Sequence, residues 1–291
     1  MPNIIETINL TDTLYPPELR SIPQPPKTIY CAGRMTAKET RVAIVGTRMC
    51  SDYGKLAASN IAQGLVEAGI VIVSGLTPGI DTIAHKTAVE NKARTIAVLG
   101  TGLDKKSIYP QTNVALSENI LDCGGLLVSE CPPGTHGARF TFAKRNRIIS
   151  GLSLAVVIIE AKEKSGSLIT AGWARKQKKK IFAVPGSVYS TNSRGCNELI
   201  RQGAILARNA KDILDEIGVG SQLALDGITE PEGSKEEVMI LKSLREGALE
   251  VDKIILATGL PAVKVLSLLP VLEIKGKVRD LGENIYALSY R

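Results

Sequence analysis

VAIVG at residues 42–46, followed by Thr47-Arg48 and by a helix-length stretch that opens at Gly54, decides how this chain folds. A short run of β-branched and apolar residues without polar alternation is the pattern of a strand buried on both faces. The pattern recurs at IVIVSG (70–75), TIAVLG (95–100), LLVSE (126–130), LAVVIIEA (154–161) and IFAVPG (181–186), with helix-length amphipathic segments between the runs. Apolar strands alternating with helices predict an α/β fold: an extended Rossmann-like domain with a mostly parallel sheet and right-handed crossovers. Several of these strands end in Gly or Ser ahead of a helix, so the binding site is expected along the carboxyl edge of the sheet.

Outward from this core, the organisation is read from punctuation and charge. Residues 1–40 carry Pro16, Pro17, Pro23, Pro25, Pro26 and Gly33, and read as an irregular lead-in packing on the main domain, with a short strand at Thr28 to Cys31. The Rossmann-like domain is expected over 41–218. A glycine-rich linker follows over 219–233, with Gly220, Gly227, Pro231 and Gly233. Residues 234–291 show three short helical patterns (235–245, 250–258, 261–273) and then two strand patterns around Gly282-Glu283-Asn284, the order of a small winged-helix-like domain. Pro270 should kink or shorten the third of those helices.

The net charge of +7 is unevenly spread. The first 210 residues hold 26 basic against 15 acidic residues, or +11, whereas the remainder holds 10 against 14, or −4. A polyanionic partner is therefore expected on the large domain. Lys264 is the sole basic residue of the third tail helix before Lys275, poor equipment for tracking phosphates. No apolar run reaches the roughly 18 residues of a membrane span, and the first residues lack a basic signal region, so a cytoplasmic protein is expected. Five scattered cysteines without a C-x-x-C pair, and two histidines, His85 and His136, point to neither a disulfide framework nor a metal site. No cofactor is implied.

Gly46-Thr47-Arg48 offers a glycine turn, a hydroxyl and a guanidinium, which together suit a phosphate. Ser74-Gly75 and Gly79-Ile80-Asp81 repeat the theme after the second strand, and Gly100-Thr101-Gly102 after the third. Strand-terminating glycines are the plain alternative. The densest signal is ARFTFAKRNRIISG at 138–151: Arg139, Lys144, Arg145 and Arg147 carry four positive charges without an acid, interleaved with Phe140 and Phe142. Cations for the backbone beside ring faces for bases are what non-specific single-strand binding requires. One phenylalanine of the pair belonging to the core is the competing reading, and Asn146 is either a helix cap or a ligand contact.

Other features have structural explanations at hand. The run ARKQKKK (174–180) suits the C-terminal end of a helix, Ser165-Gly166-Ser167 an N-cap or an anion site, and Trp173 packing. Asp81 and His85 stand four apart on one helical face, which suits acid/base work, a structural Asp-His pair, or Asp81 capping the helix that starts beside Gly79. Glu130 and Glu160 are expected to anchor loops.

The order of motifs resembles the DprA (Smf) family. YPPELRSIPQPPKTIYCAG is followed by VAIVGTR, SGLTPGIDTIAH, TIAVLGTGLD with YPQTN, SECPPG, FAKRNRIISGLS, EAKEKSGSLITA, IFAVPG and SRGCNELIRQGA. The resemblance implies a homodimer that holds single-stranded DNA in a basic pocket without catalysis, protects incoming DNA and helps load the RecA recombinase in natural transformation and recombination. The pocket it implies comprises Gly46, Thr47, Arg48, Ser74, Gly75, Phe142, Lys144, Arg145, Asn146 and Arg147. Two departures stand out: Ala143 where the family has proline before the RNR run, and Thr77-Pro78 ahead of Gly-Ile-Asp.

Two rivals are distinguishable. A nucleotide-binding enzyme of a related fold, a lysine-decarboxylase-like phosphoribohydrolase, would carry a P-G-G-x-G-T turn, where this chain has Pro185-Gly186-Ser187. A nicotinamide oxidoreductase would carry G-x-G-x-x-G after the first strand, which is absent, as is a P-loop.

Overall fold

The computed structural model describes residues 5–36, 39–219, 234–244, 249–275, 277–280, 282 and 284–288. The chain forms two compact units, Met1–Leu223 and Ala224–Arg291. Most of the expected linker, residues 220–233, lies outside the described residues.

The first unit is built on one nine-stranded sheet. Its strands are β1 (Glu6–Asn9), β2 (Thr28–Gly33), β3 (Arg41–Val45), β4 (Val71–Ser74), β5 (Thr95–Leu99), β6 (Leu126–Ser129), β7 (Ala155–Ile158), β8 (Lys180–Ala183) and β9 (Ile205–Leu206). Their order across the sheet is β1-β2-β6-β5-β4-β3-β7-β8-β9. From β6 to β9 every pairing is parallel, with Val42 opposite Ala155 between β3 and β7. The helices are α1 (Pro17–Arg20), α2 (Asp52–Glu67), α3 (Ile80–Glu90), α4 (Val114–Asp122), α5 (Arg139–Gly151), α6 (Gly166–Lys176), α7 (Arg194–Arg201) and α8 (Ala210–Ile217).

Side-chain alternation along β3 shows why its interior, Val42 to Val45, carries no polar residue. Val42 and Ile44 join one core with Ile61, Leu65, Ile80, Ala84 and Ile213 of α2, α3 and α8. Ala43 and Val45 join the opposite core with Leu19, Ile148, Ile149, Ala171 and Leu199 of α1, α5, α6 and α7. A strand sandwiched this way has no solvent face on which to place a polar side chain. Ser51 caps α2, its Oγ accepting from the Gly54 amide at 3.1 Å, and Asn209 caps α8 by accepting from the Asp212 amide at 3.0 Å.

The strand expected at Thr28 to Cys31 is present as β2, while β1 and α1 stand where irregular chain was expected. β1 pairs antiparallel with β2, and β2 pairs antiparallel with β6, Cys31 opposite Val128. β1 escaped notice because it is a four-residue strand separated from β2 by the proline-rich stretch. Tyr15 is buried and its hydroxyl donates to the Pro26 carbonyl at 2.8 Å, fastening the connection.

The second unit is a winged-helix domain: α9 (Lys235–Ser243), β10 (Leu249–Glu250), α10 (Val251–Thr258), α11 (Ala262–Ile274), β11 (Val278–Asp280) and β12 (Ile285–Leu288). The three strands pair in the order β10-β12-β11, one strand more than the sequence pattern suggested. Its core comprises Ile240, Leu244, Ile254, Val265, Leu269, Leu272 and Val278. α11 is not shortened at Pro270 but continues to Ile274, because Leu269 and Leu272 on either side are buried in that core. Lys264 pairs with Glu236 at 3.8 Å and Lys275 with Glu237 at 2.7 Å, so both cations of this helix region already have carboxylate partners.

No single helix among the described residues is long and apolar enough to cross a membrane.

Candidate nucleic-acid interface

Strand order reverses between β3 and β7, since the chain runs outward from β3 through β4, β5 and β6 on one side and through β7, β8 and β9 on the other. Loops leaving adjacent strands in opposite directions leave a crevice between them at the carboxyl edge. Here it is a cavity of about 740 Å³. Gly46, Thr47, Arg48 and Met49, which follow β3, and Lys162, Lys164 and Ser165, which follow β7, line it. The first turns of α6 and α5 and the ring of Tyr109 complete the lining.

Local sequence sets each wall. Gly79 adopts φ +81° ahead of α3, and an added Cβ there would overlap the Thr47 and Arg48 carbonyls. The Thr47 and Arg48 turn can therefore lie against the start of α3, where the Ile80 amide donates to the Thr47 carbonyl at 3.3 Å. The Thr47 amide donates to the Glu160 carbonyl at 2.8 Å, tying the loops after β3 and β7 together. Glu160 itself accepts from the Ser51 amide at 2.9 Å and the Ser51 hydroxyl at 2.6 Å, the loop anchor expected of it. Ser165 caps α6, leaving the first amides of that helix beside the cavity, where a helix terminus favours an anion.

The residues singled out from sequence divide into two groups. Gly46, Thr47, Arg48, Phe142, Arg145 and Asn146 all line the cavity. The exposed Arg48 guanidinium lies 5.3 Å from the centroid of the Phe142 ring, and the Tyr109 ring lies 5.7 Å from it on a tilted plane. Asn146 is neither a cap nor free: within α5, its Nδ2 donates to the Gly166 carbonyl at 3.2 Å, joining the two helices that flank the cavity. Of the two phenylalanines, Phe142 is half-buried and Phe140 is 72 % exposed, so neither sits wholly in the core.

Ser74, Gly75, Lys144 and Arg147 lie outside the lining. Ser74 is buried and its hydroxyl donates to the Ile44 carbonyl at 2.6 Å. A Cβ on Gly75 would overlap the Arg145 guanidinium, so the absence of a side chain here makes room for that arginine. Lys144 pairs with Glu130 at 3.1 Å. Arg147 is only 2 % exposed; its Nη2 donates to both Glu130 oxygens at 2.8 and 2.9 Å, its Nε to the Gln24 carbonyl at 2.7 Å and its Nη1 to the Lys144 carbonyl at 2.9 Å. The run reads as a uniform basic patch in sequence because helical periodicity turns consecutive cations to different faces.

Beneath the surface, Arg145 is buried, donates to the Val98 carbonyl and has Asp81 as its compensating charge. Burial lowers its pKa to about 10, with Asp81 opposing the shift, so it stays charged at neutral pH. Burial pushes the Asp81 carboxyl above its ordinary range, against the Arg145 charge and the Thr77 hydroxyl, which donates to it at 2.8 Å. Burial holds His85 down at about 3. His85 Nδ1 lies 2.8 Å from Thr95 Oγ1, so Asp81 and His85 are each tied to a threonine, and Gly79, not Asp81, is the N-cap of α3.

Sequence reasoning missed Tyr109, Lys162 and Lys164 as cavity residues. Lys162 and Lys164 had a signal, since they leave the strand that pairs with β3, but that pairing is not local in sequence. Tyr109 comes from the loop after β5, and its one signal was its place in the family motif YPQTN. The run at 174–180 contributes nothing to the lining: Lys176 lies 4.8 Å from the Trp173 ring centroid, and Lys180 pairs with Glu216 at 2.8 Å.

A doubly wound α/β protein with a basic, ring-bearing cavity at its switch point, carrying a winged-helix domain, is the class this architecture defines. A family model described as DNA recombination-mediator protein A matches residues 6–218, and one described as the DprA winged helix domain matches residues 228–284. The chain belongs to the DprA family of DNA-processing proteins. It is 41% identical over 215 residues to the DNA processing protein DprA of Bacillus subtilis, covering 73% of this chain and 71% of that protein. The X-ray structure of DNA processing protein A from Streptococcus pneumoniae superposes with a TM-score of 0.68 at 41% identity, over 73% of this chain and 74% of that one. The Helicobacter pylori protein, solved for its single-stranded DNA binding mode, superposes with a TM-score of 0.66 at 31% identity, over 77% of this chain and 97% of that one. The phosphoribohydrolase reading is not favoured.

Proposed function

We propose that this protein binds single-stranded DNA in the cavity at the β3 and β7 switch point, protects incoming strands and helps load the RecA recombinase during natural transformation and recombination. The observation that carries the reading is the Arg48 guanidinium over the Phe142 ring, with Lys162, Lys164 and Arg139 along the same lining. Cations for phosphates and aromatic rings for bases are the two elements of sequence-tolerant single-strand binding. The binding set comprises Gly46, Thr47, Arg48, Phe142, Arg145 and Asn146 at the cavity. Ser74, Gly75, Lys144 and Arg147 act behind it: Gly75 gives Arg145 its room, and Arg147 fastens α5 to Glu130 and Gln24.

The reading includes no chemistry on the strand. In support, Asp81 is engaged by Thr77 and Arg145 and buried His85 by Thr95, so this pair serves the interior of the domain. Action as a cytoplasmic homodimer with RecA as partner rests on the family alone. Sedimentation and a RecA-filament assay on strands coated with single-strand binding protein test those two points, and a strictly monomeric or RecA-inert protein overturns them.

The direct experiment is fluorescence anisotropy of labelled oligo-dT and a matched duplex at two salt concentrations. Preferential single-strand binding that weakens with salt is expected, and Arg48→Ala should flatten the salt slope by about 0.7. Equal affinity for duplex, or no binding at low salt, refutes the reading.

A further inference from the structure

Beside the cavity, two exposed segments present apolar side chains together. Met49 follows β3, is 77 % exposed and lines the cavity mouth, while Tyr53 opens α2 and is half exposed. Facing them, the loop from Pro185 to Ser193 carries Val188, 73 % exposed, and Tyr189, 92 % exposed. Single exposed apolar residues are ordinary, but here four are carried by one joined pair of segments.

The junction is fastened at both ends. The Tyr53 hydroxyl donates to the Pro185 carbonyl at 2.6 Å, and Asn192 Nδ2 donates to the Met49 carbonyl at 3.1 Å. The Ala161 amide donates to the Asn192 carbonyl at 2.8 Å, which fixes the loop to the segment leading into Lys162 and Lys164. Within the loop, the Tyr189 amide donates to Ser187 Oγ at 3.3 Å and the Ser190 amide to the Ser187 carbonyl at 3.0 Å. A tyrosine ring held out on a pinned loop loses little conformational freedom when a flat partner settles on it. Arg194, half exposed at the end of the loop, adds a cation held only by a 3.7 Å approach to Glu163.

We propose that Tyr189, with Val188, Tyr53 and Met49 around it, is a stacking shelf for unpaired bases that extends the single-strand site beyond the cavity. The inference rests on the single-strand reading of the cavity. Continuity favours this occupant over a protein: Met49 belongs to both surfaces, and the cations Lys162 and Lys164 stand at the root of the loop that carries the ring. Single-strand sites commonly span about 4 to 16 nucleotides, more than a cavity of about 740 Å³ encloses. A longer strand must therefore leave the cavity, and the shelf lies at its mouth.

The test is anisotropy with oligo-dT of about 3 and about 12 nucleotides on the full chain, unmodified and as Tyr189→Ala and Tyr189→Phe. Tyr189→Ala should leave the short strand unaffected and weaken the long strand by at least about fivefold, and Tyr189→Phe should restore it. An unchanged long-strand affinity, or an equal loss at both lengths, overturns the shelf while leaving the cavity in place. A changed sedimentation mass in Tyr189→Ala with unchanged long-strand binding makes the patch a self-association surface and overturns the shelf too. Failure of the unmodified protein to bind either strand, or indifference of both to Arg48→Ala, marks failure of the cavity reading itself.

Discussion

Arg147 and Arg48 are both arginines of the basic signature, yet they should fail in opposite ways. Arg147→Met keeps the aliphatic bulk but removes a guanidinium that is 2 % exposed and makes two bonds to Glu130 and two to backbone carbonyls. Removing it strips the donor from the Gln24 and Lys144 carbonyls and leaves Glu130 with Lys144 as its remaining cation, at a cost of about 3–5 kcal/mol. With a urea m-value of about 2–3 kcal/mol/M for a unit of this size, the midpoint should fall by about 1–2 M. Trp173, the sole tryptophan, sits in α6 of the same unit, and nearby Gln177 donates to the Arg147 carbonyl at 2.9 Å, so its fluorescence follows this unit's unfolding. Arg48 is exposed, and Arg48→Ala should change stability by no more than about 0.5 kcal/mol while reducing oligo-dT affinity and its salt dependence. The assay is a urea titration of each variant beside oligo-dT anisotropy under conditions where both are folded. If Arg147→Met keeps its midpoint and loses affinity as Arg48→Ala does, the assignment of Arg147 to the interior is wrong.

Three further outcomes are expected. Gly79→Ala puts a methyl against the Thr47 and Arg48 carbonyls at positive φ, so differential scanning should show a clear fall in Tm together with weaker oligo-dT binding; an unchanged Tm would show that the turn yields freely. His85 has its folded pKa depressed to about 3 from 6.5, so only the unfolded chain takes up its proton between those values. Stability should therefore be unaffected by this group above pH 6.5 and fall by up to about 1.4 kcal/mol per pH unit beneath it, a slope flatter in His85→Asn; parallel pH profiles of the two proteins would contradict this. Phe142→Ala should weaken oligo-dT binding by about 1–3 kcal/mol at every salt concentration with the salt slope unaltered, because the ring contributes stacking and no charge; a changed slope would mean that it acts chiefly by placing Arg48.

Much of the fold was legible because burial on both faces leaves a strong local mark. VAIVG can lie only where both sides are covered, and its place between α3 and α5 follows from runs that recur between helix-length segments. The edge strands β1 and β9 left no such mark, since pairing with a distant strand, not their own pattern, makes them strands. The candidate site was legible in part: a glycine turn with Arg48 after a buried strand, and Phe142 in a basic run, point to an anion and a base by residue type alone.

Sequence by itself determined the doubly wound α/β class, the winged-helix tail, the charge asymmetry and the family motifs, because each is carried by near neighbours along the chain. Only the tertiary structure decided which cations face the cavity. Arg145 and Arg147 are two residues apart, yet one lines the cavity against Asp81 and the other is locked to Glu130, while Lys162, Lys164 and Tyr109 arrive from other loops. The direction of a side chain depends on its position around a helix, and its partner on strand order; neither is a property of the residues that flank it.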